Sequence, residues 1–382
     1  MIRVLTVLLL FTQLVFAQWN DWHDAKSLRL KLLEAASKSK TYYSQFDWFA
    51  PRRNNSLNTI YYKEMNVQPL IYGVDFYYAS GTYFPKQYIQ VNRKNLISLV
   101  KSAWKEYKAI PLFSWHLENP YVTSDFVEMM GCRYRFSPQV SDYPRKHRYV
   151  IREILSSEGD VCGFGNRSRT DNSIFYINPR VWFEERIAEI SKIIKELKDD
   201  DERPIPMIFR LWHECEDDWM WWGPSSVSAK DYRDFFILTE NLVKKNVPDA
   251  EILWAYSPDR YWKDADFMKW YPGDEYVDII GYDDYSIGKS RQDLSVCINR
   301  ARFVSKIAKE KNKVAAIFET DNSHNETADV FFEDYLLKIV QDNETNLSLV
   351  QTWSTGKFST IKQKNDRMSF LHNSSVIVWM EK

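Results

Sequence analysis

Short apolar runs, too brief for buried helices, recur along this chain and are separated by stretches of helical period. The runs lie at residues 41–43, 70–76, 109–116, 207–212, 251–257, 276–282, 314–319 and 347–353. The helical stretches lie at 27–40, 96–107, 179–197, 231–245, 298–311 and 329–340. In the first, Leu28, Leu32, Ala35 and Ala36 share one face, and in the third Ile187, Ile190, Ile194 and Leu197 do the same. Strands that alternate with helices cannot pair as hairpins, so the pattern requires a parallel sheet. Eight such strands predict an α/β fold, a closed (β/α)8 TIM barrel. Residues 117–178 have no clear period but keep their aromatic residues, which predicts a long insertion after the third strand. The last twenty residues read equally as strand or as helix end.

A barrel of this kind carries its chemistry at the C-terminal ends of its strands. Asp75, His116, Glu214, Asp283, Tyr285, Glu319 and Trp353 all fall there. The densest stretch is 206–223, PMIFRLWHECEDDWMWWG, where His213 and Glu214 follow the fourth strand and Trp219, Trp221 and Trp222 follow them. A carboxyl under an indole wall resists ionisation, and flat aromatic faces stack on pyranose rings, so Glu214 suits a general acid working on a sugar. Tryptophans also pack cores, and a His–Glu pair can be a plain hydrogen bond, so the stretch alone leaves both readings open. A zinc-protease helix would need a second histidine four residues after His213, where Asp217 stands. Arg210, inside an apolar strand, requires a carboxylate partner that the sequence does not name.

The pieces GVDF (73–76), FSWHLENP (113–120), FRLWHECEDDWMWWG (209–223), LWAYSPD (253–259), YPGDEYVDIIGYDDYS (271–286), AIFET (316–320) and TWS (352–354) together resemble glycoside hydrolase family 26, the β-mannanase family. The resemblance implies a retaining endo-β-1,4-mannanase. Glu214 would be its acid/base and Glu319 its nucleophile, with His116, His213, Trp219, Trp222, Tyr285 and Trp353 binding the polysaccharide. It implies no metal and no cofactor. Two departures stand out: Cys215-Glu216-Asp217 replaces a Met-Asn-Gly run, and Asp321 stands where glycine often follows the Glu-Thr pair. A β-1,3-xylanase or mixed-linkage glucanase would use the same machinery, and a glycan-binding protein without catalysis is the reading from another class.

Charge is balanced, with 51 Lys+Arg against 52 Asp+Glu, which gives no reason to expect nucleic acid or an anionic membrane as partner. Residues 2–16 place one arginine ahead of a short apolar run and read as a secretory signal, 1–17, ahead of a single catalytic domain, 18–382. The mature protein is therefore expected to be an extracellular monomer. Sequons at Asn54, Asn166, Asn325, Asn343, Asn346 and Asn373 agree with secretion. Among the four cysteines, Cys132 and Cys162 bracket one irregular segment and are expected to bridge. Cys215 is expected to be a buried thiol, with a Cys215–Cys297 bridge as the alternative.

Overall fold

The computed structural model describes residues 20–46, 66–80, 86–119, 150–157, 162–165, 174–216, 218–260, 264–289, 294–321, 327–353 and 360–380. Eight parallel strands curl into a TIM-barrel-like sheet: β1 (Thr41–Gln45), β2 (Ile71–Asp75), β3 (Ile110–Ser114), β4 (Met207–Arg210), β5 (Ile252–Tyr256), β6 (Ile279–Asp283), β7 (Val314–Glu319) and β8 (Leu347–Thr352). Each pairs in parallel with the next from β2 to β8, and β8 pairs with β1. The ring closes where Phe46, just past β1, bridges Gly73 of β2. A Cβ at Gly73 would lie 2.6 Å from Gln351 Oε1 and 2.8 Å from the Phe46 Cα, so the closure needs glycine there. Below that bridge the C-terminal residues fill the seam: Val376–Ile377 pairs in parallel with β1, and Trp379–Met380 pairs antiparallel with Val67–Gln68. The ambiguous tail is thus a helix, α6 (Ile361–Leu371), followed by two short strands.

Helices cover the outside. α1 (Ala25–Ser37) buries Leu28, Leu32, Ala35 and Ala36, the face its period predicts, and starts in a capping box between Asp24 and Ser27. α3 (Pro179–Glu196) starts at Pro179 under an Asn178 cap, and α4 (Ala229–Asn246) under Ser228. α5 (Leu294–Glu310) matches its expected place within a few residues, whereas α2 (Lys86–Tyr107) begins ten residues before the apolar period that marks it. The stretch expected as one helix over 329–340 is instead a 3-10 turn (Ala328–Val330), a π-helical turn (Phe332–Leu336) and an α-helical turn (Leu337–Val340). There the Asp366 carboxylate accepts the N–H groups of Phe332 and Glu333, at 2.8 and 2.9 Å.

Of the expected insertion, the described residues show a helix at Val150–Ser156 and an antiparallel pair, Cys162–Gly165 with Ile174–Ile177. The rest of it, Cys132 included, lies outside the described residues, as do Asn54, Asn166 and Asn325. Asn343 and Asn346 are exposed. Cys215 and Cys297 are both buried thiols and are not bridged to each other. No described helix is long and apolar enough to cross a membrane.

Candidate active site

The fourth strand delivers Glu214 through an unusual turn. Trp212 and Glu214 both sit in the left-handed region, φ 44° and 54°, a conformation that costs a bulky residue about 1–2 kcal/mol. Surrounding hydrogen bonds hold the turn in place. The Tyr232 hydroxyl donates to the Trp212 carbonyl at 2.9 Å, the Trp222 indole to the His213 carbonyl at 2.7 Å, and the Glu214 N–H to the Ser257 carbonyl at 2.9 Å. The turn points the Glu214 carboxyl into a cleft of about 420 Å³ that His116, Trp219, Asp259, Arg260, Tyr285, Lys289, Glu319 and Trp353 also line.

Arg210 organises the floor. Fully buried, it donates to Glu319 Oε1 at 2.5 Å, to Asp283 Oδ2 and, through Nε, to Ser257 Oγ at 3.1 Å. Ser257 in turn donates to the second oxygen of Asp283 at 2.8 Å. The other oxygen of Glu319 accepts from the Tyr285 hydroxyl at 2.7 Å, so donors hold both oxygens of this carboxylate. Burial and the charge of Glu319 push the Tyr285 phenol up, which keeps it a donor. Oxygens of Glu214, Asp283 and Glu319 lie within 4.8 Å of one another. Such a trio can ligate a cation, but the Arg210 guanidinium already supplies positive charge to two of its members.

Glu214 and Glu319 sit in unlike surroundings. Glu319 carries two charge-favouring hydrogen bonds, one from a guanidinium. Glu214 Oε2 has no hydrogen-bond partner among the described residues. Burial first, then the negative charges of Asp283, Glu319 and Asp259, raise the Glu214 carboxyl well above the ordinary range against the pull of Arg210. The Glu214 carboxyl is thus raised toward its neutral form beside a carboxyl group whose two oxygens both accept hydrogen bonds.

A second polar chain runs along the cleft wall. Asp75 accepts from the backbone N–H groups of Tyr77 and His116 and pairs with His116 Nδ1. His116 Nε2 faces His213 Nε2 at 3.1 Å. With the Nδ1 proton directed at Asp75, His116 accepts at Nε2 and His213 donates. His213 Nδ1 then has no hydrogen-bond partner among the described residues. Burial, followed by the charge of Arg210, drives its basicity well below the ordinary histidine value, in keeping with a neutral ring. Trp353 stacks on Phe46 with centroids 4.0 Å apart and meets the His116 ring edge-on.

The eight residues singled out from sequence divide into two sets. Glu214, Glu319, His116, Trp219, Tyr285 and Trp353 share the cleft, with the Trp219 ring 42% exposed. His213 and Trp222 do not line it. Expected to touch substrate, both are buried instead, because they hold the strained turn and the histidine pair from behind. Trp221 is also buried, its indole on the Leu117 carbonyl. Asp259, Arg260 and Lys289 were not singled out, although they follow the fifth and sixth strands, the position where a barrel puts its chemistry.

Residues 177–355 match the model of glycosyl hydrolase family 26. A mannan endo-1,4-beta-mannosidase of Bifidobacterium adolescentis is 28% identical over 186 residues, covering 45% of this chain and 19% of that protein. One from Bacillus subtilis is 37% identical over 106 residues, covering 26% of this chain and 28% of that protein. The matched stretches thus span less than a third of either relative. Among solved structures, GH26C from Muricauda superposes with a TM-score of 0.74 at 22% identity, covering 94% of this chain and 92% of that one. A GH26 beta-mannanase from Bacteroides ovatus gives 0.70 at 18% identity, covering 91% and 93%. At these identities the superpositions speak for the fold.

Proposed function

We propose, from the match of residues 177–355 to the model of glycosyl hydrolase family 26, that the chain is a secreted endo-β-1,4-mannanase that cleaves mannan, glucomannan or galactomannan with retention of configuration. The observation that carries this reading is the pair of buried carboxyl groups, Glu214 and Glu319, that line one cleft with oxygens within 4.8 Å of each other. Nucleophilic attack calls for carboxyl groups about 5–5.5 Å apart, whereas an inverting enzyme spaces them by roughly 6.5–9.5 Å to admit a water. Glu319 attacks the anomeric carbon while Glu214 gives its proton to the leaving oxygen, and a glycosyl ester forms. Glu214, now ionised, takes a proton from the incoming water, which opens the ester and returns both groups to their starting states. Trp353 and Trp219 offer faces for sugar rings, and His116 a ring nitrogen for a hydroxyl. Secretion is supported by the signal-like residues 2–16. Both reacting groups are side chains, so activity is expected to persist in EDTA.

Proton NMR during the first minutes of galactomannan hydrolysis tests the mechanism. The β-anomer should appear first and drift to equilibrium by mutarotation; an α-anomer first would remove Glu319 as nucleophile. Run beside xylan and lichenan, the same assay tests the sugar. Preference for β-1,3-xylan or lichenan would move the substrate, and tight binding without turnover would leave a glycan-binding protein.

A further inference from the structure

The turn that carries Tyr285 is fastened from outside the barrel. Arg300 lies on α5, is 6% exposed, and its Nη1 donates to Asp284 Oδ2 and to Ser286 Oγ, both at 2.8 Å. Asp284 is fully buried, and its other oxygen accepts the Ser286 N–H at 2.8 Å and the Ser286 hydroxyl. The Asp284 N–H donates to the Glu319 carbonyl at 2.8 Å, which ties the same turn to the strand that ends in Glu319. Beyond Tyr285 the turn closes through the Lys289 N–H on the Ser286 carbonyl at 3.1 Å and the Thr327 hydroxyl on the Gly288 carbonyl. Residues on both sides of Tyr285 are therefore fixed, one by an ion pair and one by a hydroxyl held in it. Tyr285 itself reaches the other way, to Glu319 Oε2.

We propose that Arg300 is a positioning residue for the reaction: by clamping Asp284 and Ser286 it fixes the Tyr285 hydroxyl on the oxygen of Glu319. The inference rests on Glu319 being the nucleophile. A carboxylate attacks well only when its free lone pair is aimed, and an error of about 1 Å can cost a hundredfold. Arg210 is tied to strand β4 and holds one oxygen of Glu319. The second hold comes from a turn, which has no ladder of its own, and Arg300 gives that turn its rigidity.

The test is a double-mutant cycle. Arg300→Met with Asp284→Asn removes both charges together, so no unpaired charge is left buried. The pair should lower kcat on mannan roughly ten- to hundredfold, as for loss of a hydrogen bond to a charged group, with KM changed less than twofold. In a Tyr285→Phe background the same pair should add almost nothing, and Arg300→Lys should recover part of the loss. An equal loss in both backgrounds, or an unchanged kcat at wild-type melting behaviour, would overturn the proposal. If the pair does not fold, Ser286→Ala removes one hydroxyl and no charge, and enters the same cycle. A substrate-free arm separates this from the choice of sugar. Arg210, Glu214, Asp283 and Tyr285 face Glu319, and its carboxyl carbon can be observed by 13C NMR at one pH, with Glu319→Gln identifying the signal. Loss of the Tyr285 hydrogen bond should move that signal by equal amounts in Tyr285→Phe and in the Arg300/Asp284 pair; a change with Tyr285→Phe alone would sink the clamp. Absence of wild-type turnover on mannan would sink the substrate reading and leave the NMR result to decide Arg300.

Discussion

Seven of the eight barrel strands start on an apolar residue, and all eight end on one that carries a polar group. The first residues are Thr41, Ile71, Ile110, Met207, Ile252, Ile279, Val314 and Leu347; the last are Gln45, Asp75, Ser114, Arg210, Tyr256, Asp283, Glu319 and Thr352. One end of the barrel is closed by packed hydrocarbon, and the C-terminal tail seals its seam there. At the other, the charged groups of Arg210, Glu214, Asp283 and Glu319 are buried together, and Glu214 Oε2 has no hydrogen-bond partner among the described residues. Burying charge costs stability. The apolar end must supply what the polar end spends.

If the ends divide labour in this way, substitutions at the polar end should change chemistry most. Glu319→Ala removes the proposed nucleophile, and kcat should fall by roughly 10⁴-fold or more on every substrate. Glu214→Ala should be nearly as harmful on polymer. An activated aryl glycoside needs no proton for its leaving group, so it should still give a burst of aryl alcohol before slow turnover. Equal losses on both substrates for Glu214→Ala would put the acid elsewhere and break the comparison at its centre.

The same contrast governs what the sequence reveals. The eight strands are legible because each is a local apolar run, and so is the ring of groups at their ends. Partners are not legible. Arg210 meets Asp283 and Glu319 across 73 and 109 positions, and nothing near Arg210 names either. Nor does the run of Trp219, Trp221 and Trp222 say which indole faces the cleft: the His213 and Leu117 carbonyls claim two of them, and Trp219 remains at the surface. The helix expected over 329–340 is present, but its 3-10 and π-helical turns are not legible, nor is the distant Asp366 carboxylate that accepts the Phe332 and Glu333 N–H groups.

Stability tests come next in size. Arg210→Met leaves Asp283 and Glu319 buried without their cation and should cost about 3–5 kcal/mol by chemical denaturation, with activity lost as well. Ile110→Ala opens a cavity at the apolar end and should cost about 2–5 kcal/mol, yet kcat per folded molecule should not change. A fall in kcat for Ile110→Ala would mean that the two ends are coupled through the sheet.

The smallest expected effect is also the sharpest. Burial and the neighbouring charges of Asp283, Glu319 and Asp259 hold the Glu214 carboxyl well above its ordinary value of 4.5, with Arg210 opposing them. Between those two values the folded protein keeps a proton that the unfolded chain has released. A group raised in the fold contributes its stability fully below the unfolded value and loses it as pH rises through the folded one. Wild-type stability should therefore decline relative to Glu214→Gln, by about 1.4 kcal/mol per pH unit within that window and by nothing below it. The glutamine fills the same space and has no proton to lose, so the difference isolates one titration at the polar end. Denaturation curves of both proteins from pH 4 upward measure it. Curves that stay parallel throughout would mean that Glu214 ionises at its ordinary value, and a carboxyl ionised there cannot be the acid.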